Sequence, residues 1–181
     1  MTETIRKALL SDIAPLLGLI NGYASEGIML PRTEFEMAEN IRDFTVAVEG
    51  NELTGCGALH FYGPKTGEVR SLAVHPDRKG MGVGKRIVEA LEGEARAHGL
   101  ESVFAFTYVP KFFSKLGFLE VERRSLPSKV WKDCLRCPKL HCCDEIAMQK
   151  LFVAAEAPPG ASRDELESNG LVVLPTIANV L

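Results

Sequence analysis

Val69-Arg70-Ser71-Leu72-Ala73-Val74-His75-Pro76-Asp77-Arg78-Lys79-Gly80-Met81-Gly82-Val83-Gly84-Lys85 reads as three elements in immediate succession. A strand runs to Val74 and stops at Pro76, which has no N–H to give to a ladder. A glycine-rich turn follows over Gly80–Gly84. A helix then carries Ile87, Val88, Leu91 and Ala95 on one face as far as His98-Gly99. Physically this arrangement is an anion cradle. Glycines allow the backbone to approach a phosphate, and the helix start offers unpaired N–H groups at the positive end of its dipole. Lys79, Lys85 and Arg86 add charge. The plainer alternative is a tight turn that holds no ligand. The Gly-x-x-x-x-Gly-Lys-Ser/Thr spacing of a P-loop is absent. The strand is also the last of an antiparallel meander rather than the first of a βαβ unit, which argues against a dinucleotide fingerprint.

Working outward, Thr4–Ala8 is a short strand. Ser11 or Asp12 is expected to cap a helix with Ile13, Leu16, Leu17 and Ile20 on its buried face. Thr33, with Glu36 three residues on, predicts a capping box for a second helix reaching about Ile41. Phe44–Val48 and Leu53–Tyr62 read as strands around a Glu49–Glu52 hairpin turn, with Gly55 and Gly57 weakening the second or allowing close approach. Glu68–Val74 completes the meander. Val103–Phe106 is a continuous apolar run suited to a central strand. Lys111–Leu116 is a short helix, and Phe118–Arg123 and Ile146–Phe152 are closing strands. The order β-α-α-β-β-β-α-β-α-β-β defines a mixed α/β domain over 1–152. Residues 153–170 read as a linker, and the apolar 171–181 tail is expected to cover a groove of the domain, swap to a partner or stay unordered.

The Leu72–Gly84 stretch resembles the acetyl-CoA signature of the GNAT acetyltransferases, Arg/Gln-x-x-Gly-x-Gly/Ala after a strand ending Leu-Ala-Val-x-Pro. Lys79 stands where that family usually has Arg or Gln. A second motif follows, Lys111-Phe112-Phe113-Ser114-Lys115-Leu116-Gly117-Phe118, similar to the family's FYxKLGF. The resemblance covers about residues 4–152. It implies the GNAT fold, with a splayed central sheet, and acetyl-CoA as cosubstrate. It further implies phosphate contacts over Lys79, Gly80, Met81, Gly82, Val83, Gly84 and Lys85. The pantetheine arm would pair with the strand at Leu72, Ala73 and Val74 as an added strand. A backbone N–H of the same strand would polarise the thioester carbonyl.

The reaction such a fold implies needs a neutral amine, so a base must remove the ammonium proton. Glu68 opens the strand where many GNAT enzymes keep a glutamate base. The alternative is a solvated strand-end carboxylate. The family often protonates the departing thiolate from a tyrosine at the position of Phe113, which has no proton to give. Tyr108, nearest in sequence, is the substitute candidate, unless it only packs or the thiolate leaves unassisted.

The segment around Ser128-Lys129-Val130-Trp131 and the Leu30-Pro31-Arg32 and Glu68–Val74 stretches resemble the short amino-acid acetyltransferases related to N-acetylglutamate synthase. Longer members carry an amino-acid-kinase-like domain in front. Without one, feedback by arginine through it is not expected. The resemblance implies L-glutamate as acceptor, in arginine biosynthesis. Its carboxylates call for cations, and Arg70, Lys129 and Arg32 are the candidates. Arg70 lies two residues from Glu68 and so shares its face. Arg32 also fits a surface cation with its stem packed down. Rival readings are a GNAT acting on a polyamine, an antibiotic or a protein N-terminus, and a non-catalytic acyl-CoA-binding module.

Composition sets the bounds. The 181 residues, 46% hydrophobic and 25% charged, suit one globular domain. Residues 1–152 hold 20 basic and 20 acidic side chains, so the −3 net charge comes from Glu156, Asp164, Glu165 and Glu167 against Arg163. No basic field exists to collect nucleic acid. No apolar run nears the roughly 20 residues a bilayer needs, and Met1–Lys7 has no signal-peptide core. A cytoplasmic protein with no membrane or nucleic-acid partner is expected, and a homodimer is the partner left open. Cys56 reads as a small buried hydrophobe. Cys134, Cys137, Cys142 and Cys143 fit an irregular zinc site with His141 or Asp144, a metal-free loop, or a disulfide on oxidation. The metal-free loop is preferred, and no metal is assigned.

Overall fold

The computed structural model describes residues 3–127, 135, 137–139 and 142–152. Lys129, Cys134, His141 and the 153–181 linker and tail lie outside the described residues. The elements are β1 Glu3–Lys7, α1 Ile13–Ser25, α2 Glu34–Asn40, β2 Phe44–Glu49, β3 Glu52–Phe61, β4 Thr66–Val74, α3 Val83–Ala97, β5 Ser102–Thr107, α4 Pro110–Ser114, β6 Leu119–Glu120 and β7 Ile146–Leu151. Their order is the one the sequence predicts. Among the described residues the strands form one sheet, β1-β2-β3-β4-β5-β7-β6, antiparallel except for the β4–β5 pair.

Two apolar layers cover the sheet. On one face α1 and α2 bury Leu16, Ile20 and Met37 against Phe44, Val46, Cys56, Ala58 and Ala73. On the other, α3 and α4 bury Val83, Ile87, Val88, Leu91 and Phe113 against Ala47, Leu59, Val69, Val103 and Ala105. The predicted face of α3 is the buried one. It seats close because β3 has glycine beneath it: a Cβ on Gly55 would lie 2.9 Å from Ile87 Cδ1, and one on Gly57 2.9 Å from Ile87 Cγ2. Close approach, not weakening of the strand, is thus the use of these glycines. Cys56 is sealed between them, and burial pushes its thiol up to about 12.

The Thr33 capping box forms as expected. Glu36 N–H donates to Thr33 Oγ1 (3.2 Å), and Thr33 N–H donates to Glu36 Oε2 (2.9 Å). The α1 cap differs. Leu10–Asp12 is a 3₁₀ turn, so Asp12 already has helical dihedrals and caps nothing in α1. Its carboxylate accepts instead from Leu9 N–H (2.7 Å) and from the Arg6 guanidinium (2.6 and 3.0 Å). The strand expected over Phe118–Arg123 shrinks to Leu119–Glu120. Phe118 turns into the core, and after Val121 a 3₁₀ turn at Arg123–Ser125 takes the backbone bonds that a ladder would need.

Candidate active site

The site begins where β4 and β5 part. They pair at Thr66–Ser102, Gly67–Val103 and Glu68–Phe104, and nowhere beyond. Past Glu68, β4 stays on β3 to Val74, while β5 stays on β7 to Thr107. A wedge therefore opens between two parallel strands towards their C-terminal ends. His75 N–H donates to Thr54 O across the β3 side (2.8 Å). The alternation of an extended strand then directs the N–H and C=O groups of Leu72 and Val74 to the wedge. Tyr23 of α1 donates its hydroxyl to Val74 O (2.7 Å), fixing that end of the strand.

β4 also carries a bulge. The register skips between Cys56–Ala73 and Ala58–Arg70, and Ser71 takes φ +51°, rare for a residue with a side chain. The extra residue shifts the alternation by one. Leu72 and Val74 join Val69 on the α3 face, while Ala73 faces α1 and α2.

At the wedge mouth stands the glycine turn. Gly80 and Gly82 have φ of +81° and +79°, and Gly82 is the residue before α3. Gly82 has no side chain with which to cap the helix. The N–H groups of Val83, Gly84 and Lys85 in its first turn have no intrahelical acceptor, which is the donor set a pyrophosphate needs. Lys79 and Lys85 are exposed beside it, with Lys79 Nζ 4.8 Å above the Tyr23 ring. Arg86 is not available in the same way, because its guanidinium is held by Glu3 and by Met81 O (3.2 Å). The two sequence motifs meet here: a Cβ on Gly84 would lie 3.4 Å from both Phe112 of α4 and Val74 of β4. The residues present therefore fit a phosphorylated cosubstrate whose arm runs along β4. A groove of about 720 Å³ bordered by Gly22, Tyr23, His75 and Arg78 adjoins the loop but contains neither Glu68 nor Arg70.

On the α1/α2 face, β4 presents Glu68 and Arg70. Glu68 is the third residue of β4 and only 1% exposed, so the solvated strand-end alternative falls. Arg70 is buried too, its Nη2 3.6 Å from Asp43 Oδ2. The same carboxylate oxygen bonds His60 Nδ1 at 2.8 Å, and His60 is the cross-strand partner of Glu68. Tyr62, Phe104, Phe106 and Leu126 wall this polar group on the β5 side. Arg32 lies on the α1–α2 loop, on the same side of the sheet, its backbone clasped by the Asn21 amide (2.8 and 2.9 Å). His60 and Asp43 belong to no motif. Only the register of the β3–β4 hairpin, which sets His60 opposite Glu68, could have singled them out.

Tyr108 follows β5 directly and so sits at the same end as the wedge. It is exposed rather than packed. Its hydroxyl donates to Asp144 Oδ1 (2.9 Å) and accepts from Lys139 Nζ (3.0 Å). Partial burial holds the phenol above its ordinary pKa, against the Lys139 hydrogen bond, which lowers it. Phe113 is core, 5.1 Å from Phe118 ring to ring. Cys137, Cys142 and Cys143 carry free thiols, and the described residues contain no metal-binding group of three or more.

The sequence matches the family model described as Acetyltransferase (GNAT) family over residues 19–118. The chain belongs to the GNAT acetyltransferase family. It is an N-acetyltransferase, and GNAT enzymes take their acetyl group from acetyl-CoA. It is 42% identical over 146 residues to an uncharacterised N-acetyltransferase of Chlorobaculum tepidum, spanning 81% of this chain and 94% of that one. It is 33% identical over 135 residues to an amino-acid acetyltransferase of Mycobacterium tuberculosis, spanning 73% and 77%. Among solved structures, N-acetylglutamate synthase from Neisseria gonorrhoeae, complexed with coenzyme A and N-acetyl-glutamate, superposes with a TM-score of 0.76 at 26% identity. The match covers 84% of this chain but 36% of that protein. Among the described residues no helix is long and apolar enough to cross a membrane.

Proposed function

We propose that this GNAT enzyme acetylates the α-amino group of a free amino acid, with L-glutamate as the acceptor. The carrying observation is the burial of Glu68 and Arg70 side by side where β4 leaves β5. A carboxylate and a guanidinium placed together in an enclosed site fit an acceptor that brings both an ammonium and a carboxylate. The naming of relatives as amino-acid acetyltransferases supports the same class. Lys129 and Arg32 are the cations proposed for the second carboxylate.

The chemistry then runs along β4. Glu68 removes a proton from the bound ammonium, leaving a lone pair. The amine attacks the thioester carbon, and the carbonyl oxygen takes a hydrogen bond from a wedge-facing N–H of β4 as it gains charge. The C–S bond breaks, the thiolate takes a proton from the Tyr108 hydroxyl, and the second proton shed by the nitrogen as the amide forms passes to water, from which the exposed Tyr108 phenolate is reprotonated. The glycine loop and the Leu72–Val74 edge hold the phosphates and the pantetheine arm throughout.

The test is CoA-thiol release from acetyl-CoA with glutamate, glutamine, aspartate, lysine and spermidine offered separately. Turnover with glutamate, lost in Arg70→Ala and falling about 10²–10⁴-fold in Glu68→Gln, supports the proposal. Turnover with spermidine alone, or acetyl-CoA binding without any turnover, overturns it.

A further inference from the structure

Glu68 is almost sealed from water at 1% exposure. A buried base that gains a proton in every turnover must also lose it, and desolvation gives it no direct route to solvent. The neighbouring groups form a staircase outward. His60 lies opposite Glu68 in the β3–β4 register, so their Cβ atoms are about 4.5–5.5 Å apart on one face. The His60 side chain is 19% exposed, and that of Asp43, bonded to it at 2.8 Å, is 27% exposed. A carboxylate can only accept, so His60 Nδ1 carries the hydrogen in that bond and Nε2 is the basic nitrogen.

We propose that His60, oriented by Asp43, carries the proton from Glu68 out to solvent after each deprotonation of the acceptor. This rests on the base role proposed for Glu68. The proton balance is closed. Glu68 takes H⁺ from the ammonium, hands it to His60 Nε2 and returns to the carboxylate. The imidazolium then gives its Nδ1 hydrogen through the part-exposed Asp43 carboxylate to water or buffer, and the ring turns over to restore the starting tautomer. Among the described residues, the charged and titratable groups facing His60 are Asp43 from the turn before β2 and Glu68 and Arg70 from β4, with Tyr62 ring to ring at 5.2 Å just past the end of β3. Arg70 and Asp43 offset each other, so the relay can change charge without leaving an isolated ion in the site. His60 is thereby a positioning and relay residue. It does not touch the reacting carbon.

The experiment compares His60→Ala, Asp43→Asn and Glu68→Gln at saturating acetyl-CoA and acceptor, in low buffer and with added imidazole, after melting curves show each variant folded. His60→Ala is expected to lose about 10-fold or more in kcat with little change in either KM, and added imidazole to restore kcat in a saturable way. Asp43→Asn, which removes the acceptor that orients His60 Nδ1, should fall between His60→Ala and the wild type in kcat. Glu68→Gln should lose activity that imidazole does not restore. A folded His60→Ala that keeps wild-type kcat in low buffer, or whose loss imidazole leaves untouched, overturns the relay while the base role of Glu68 stands. A Glu68→Gln that keeps its activity overturns the base role and the relay with it.

Discussion

Gly55→Ala tests whether the seat of α3 on β3 sets the cosubstrate cradle. Gly55 has ordinary backbone dihedrals, so alanine fits the chain locally. It does not fit the space. The added carbon would meet Ile87 Cδ1 at 2.9 Å, Val83 Cγ1 at 3.0 Å and the Ala73 carbonyl oxygen at 3.0 Å. Ile87 can swing its terminal methyl, but the Ala73 oxygen is backbone of β4 and Val83 is the first residue of α3. Overpacking of this kind costs about 1–3 kcal/mol, and the stiffer unfolded chain returns about 0.4–1 kcal/mol. At mid-range the net loss is then about 1.3 kcal/mol, or roughly 3–5 °C in Tm for a chain of this length. Relief of the clash moves the α3 N-terminus against β4, so binding should weaken along with stability. A loss of about 0.5–1 kcal/mol at the helix start is about a two- to fivefold rise in the acetyl-CoA Kd. The assay pairs thermal melts with titration of acetyl-CoA. Gly93→Ala is the control: nothing lies within 4 Å of its Cβ position on the exposed side of α3, so it should stabilise by about 0.5–1 kcal/mol and leave acetyl-CoA binding alone. Unchanged Tm in Gly55→Ala refutes the packing argument. A lowered Tm with unchanged Kd refutes the link to the cradle.

Lys150→Met should destabilise by about 3 kcal/mol in denaturant melts, since it leaves the Glu92 carboxylate buried without its two bonds at 2.7 and 2.8 Å and, among the described residues, with only Arg96 at 3.5 Å. The double variant Glu92→Leu/Lys150→Met should recover most of that loss. Tyr108→Phe should lower kcat about 10–100-fold with little change in KM. Because the folded phenol titrates above its ordinary value, chiefly through burial, the protonated acid persists and wild-type kcat should show no loss from this group below about pH 10. Acid melts should expose the Arg6–Asp12 pair. The Arg6 hydrogen bond lowers the Asp12 pKa, so its contribution is full above about pH 4 and is lost as pH falls through the folded value. Arg6→Gln should flatten that acidic arm of the Tm–pH curve.

Much of the fold was legible because it rests on local rules. The Thr33–Glu36 box, the glycine before α3 and the 3.6-residue spacing of Ile87, Leu91 and Ala95 each specify an element without help from distant chain. The cradle was legible for the same reason, being one contiguous stretch. Tertiary pairing decided what was missed. Asp12 looked like a helix cap until Arg6 and Leu9 claimed its carboxylate. Phe118–Arg123 had the composition of a strand, but only two of its residues pair with β7. His60 and Asp43 gain meaning only from register, which a hairpin turn and a bulge set together. Glu68 is singled out by resemblance, while its burial depends on β5 and on the aromatic wall of Tyr62, Phe104 and Phe106.

On the function proposed above, the bulge at Ser71 lets one strand serve two reactants. In regular alternation, Leu72 and Val74 would fall on the face of Glu68 and Arg70, placing bulky apolar side chains in line with the acceptor cluster. One extra residue moves them onto the α3 face, where they pack with Val69 and Val83 beneath the helix that carries the cradle. It leaves small Ala73 on the α1/α2 face. The backbone edge beyond the bulge is also where pairing with β5 has ended, so its amides are open to an added strand. Side-chain chemistry before the bulge and backbone chemistry after it are therefore held by a single element, with Ser71 in a strained conformation costing about 1–2 kcal/mol at the junction. Ser71→Gly removes that cost and keeps the geometry. It should raise Tm by a few degrees without loss of kcat/KM. Ser71→Val, β-branched and unsuited to positive φ, should lower both. If Ser71→Val instead matches wild type in stability and in kcat/KM for both substrates, the bulge does not set the phase of β4, and the division of the strand into an acceptor half and a thioester half fails with it.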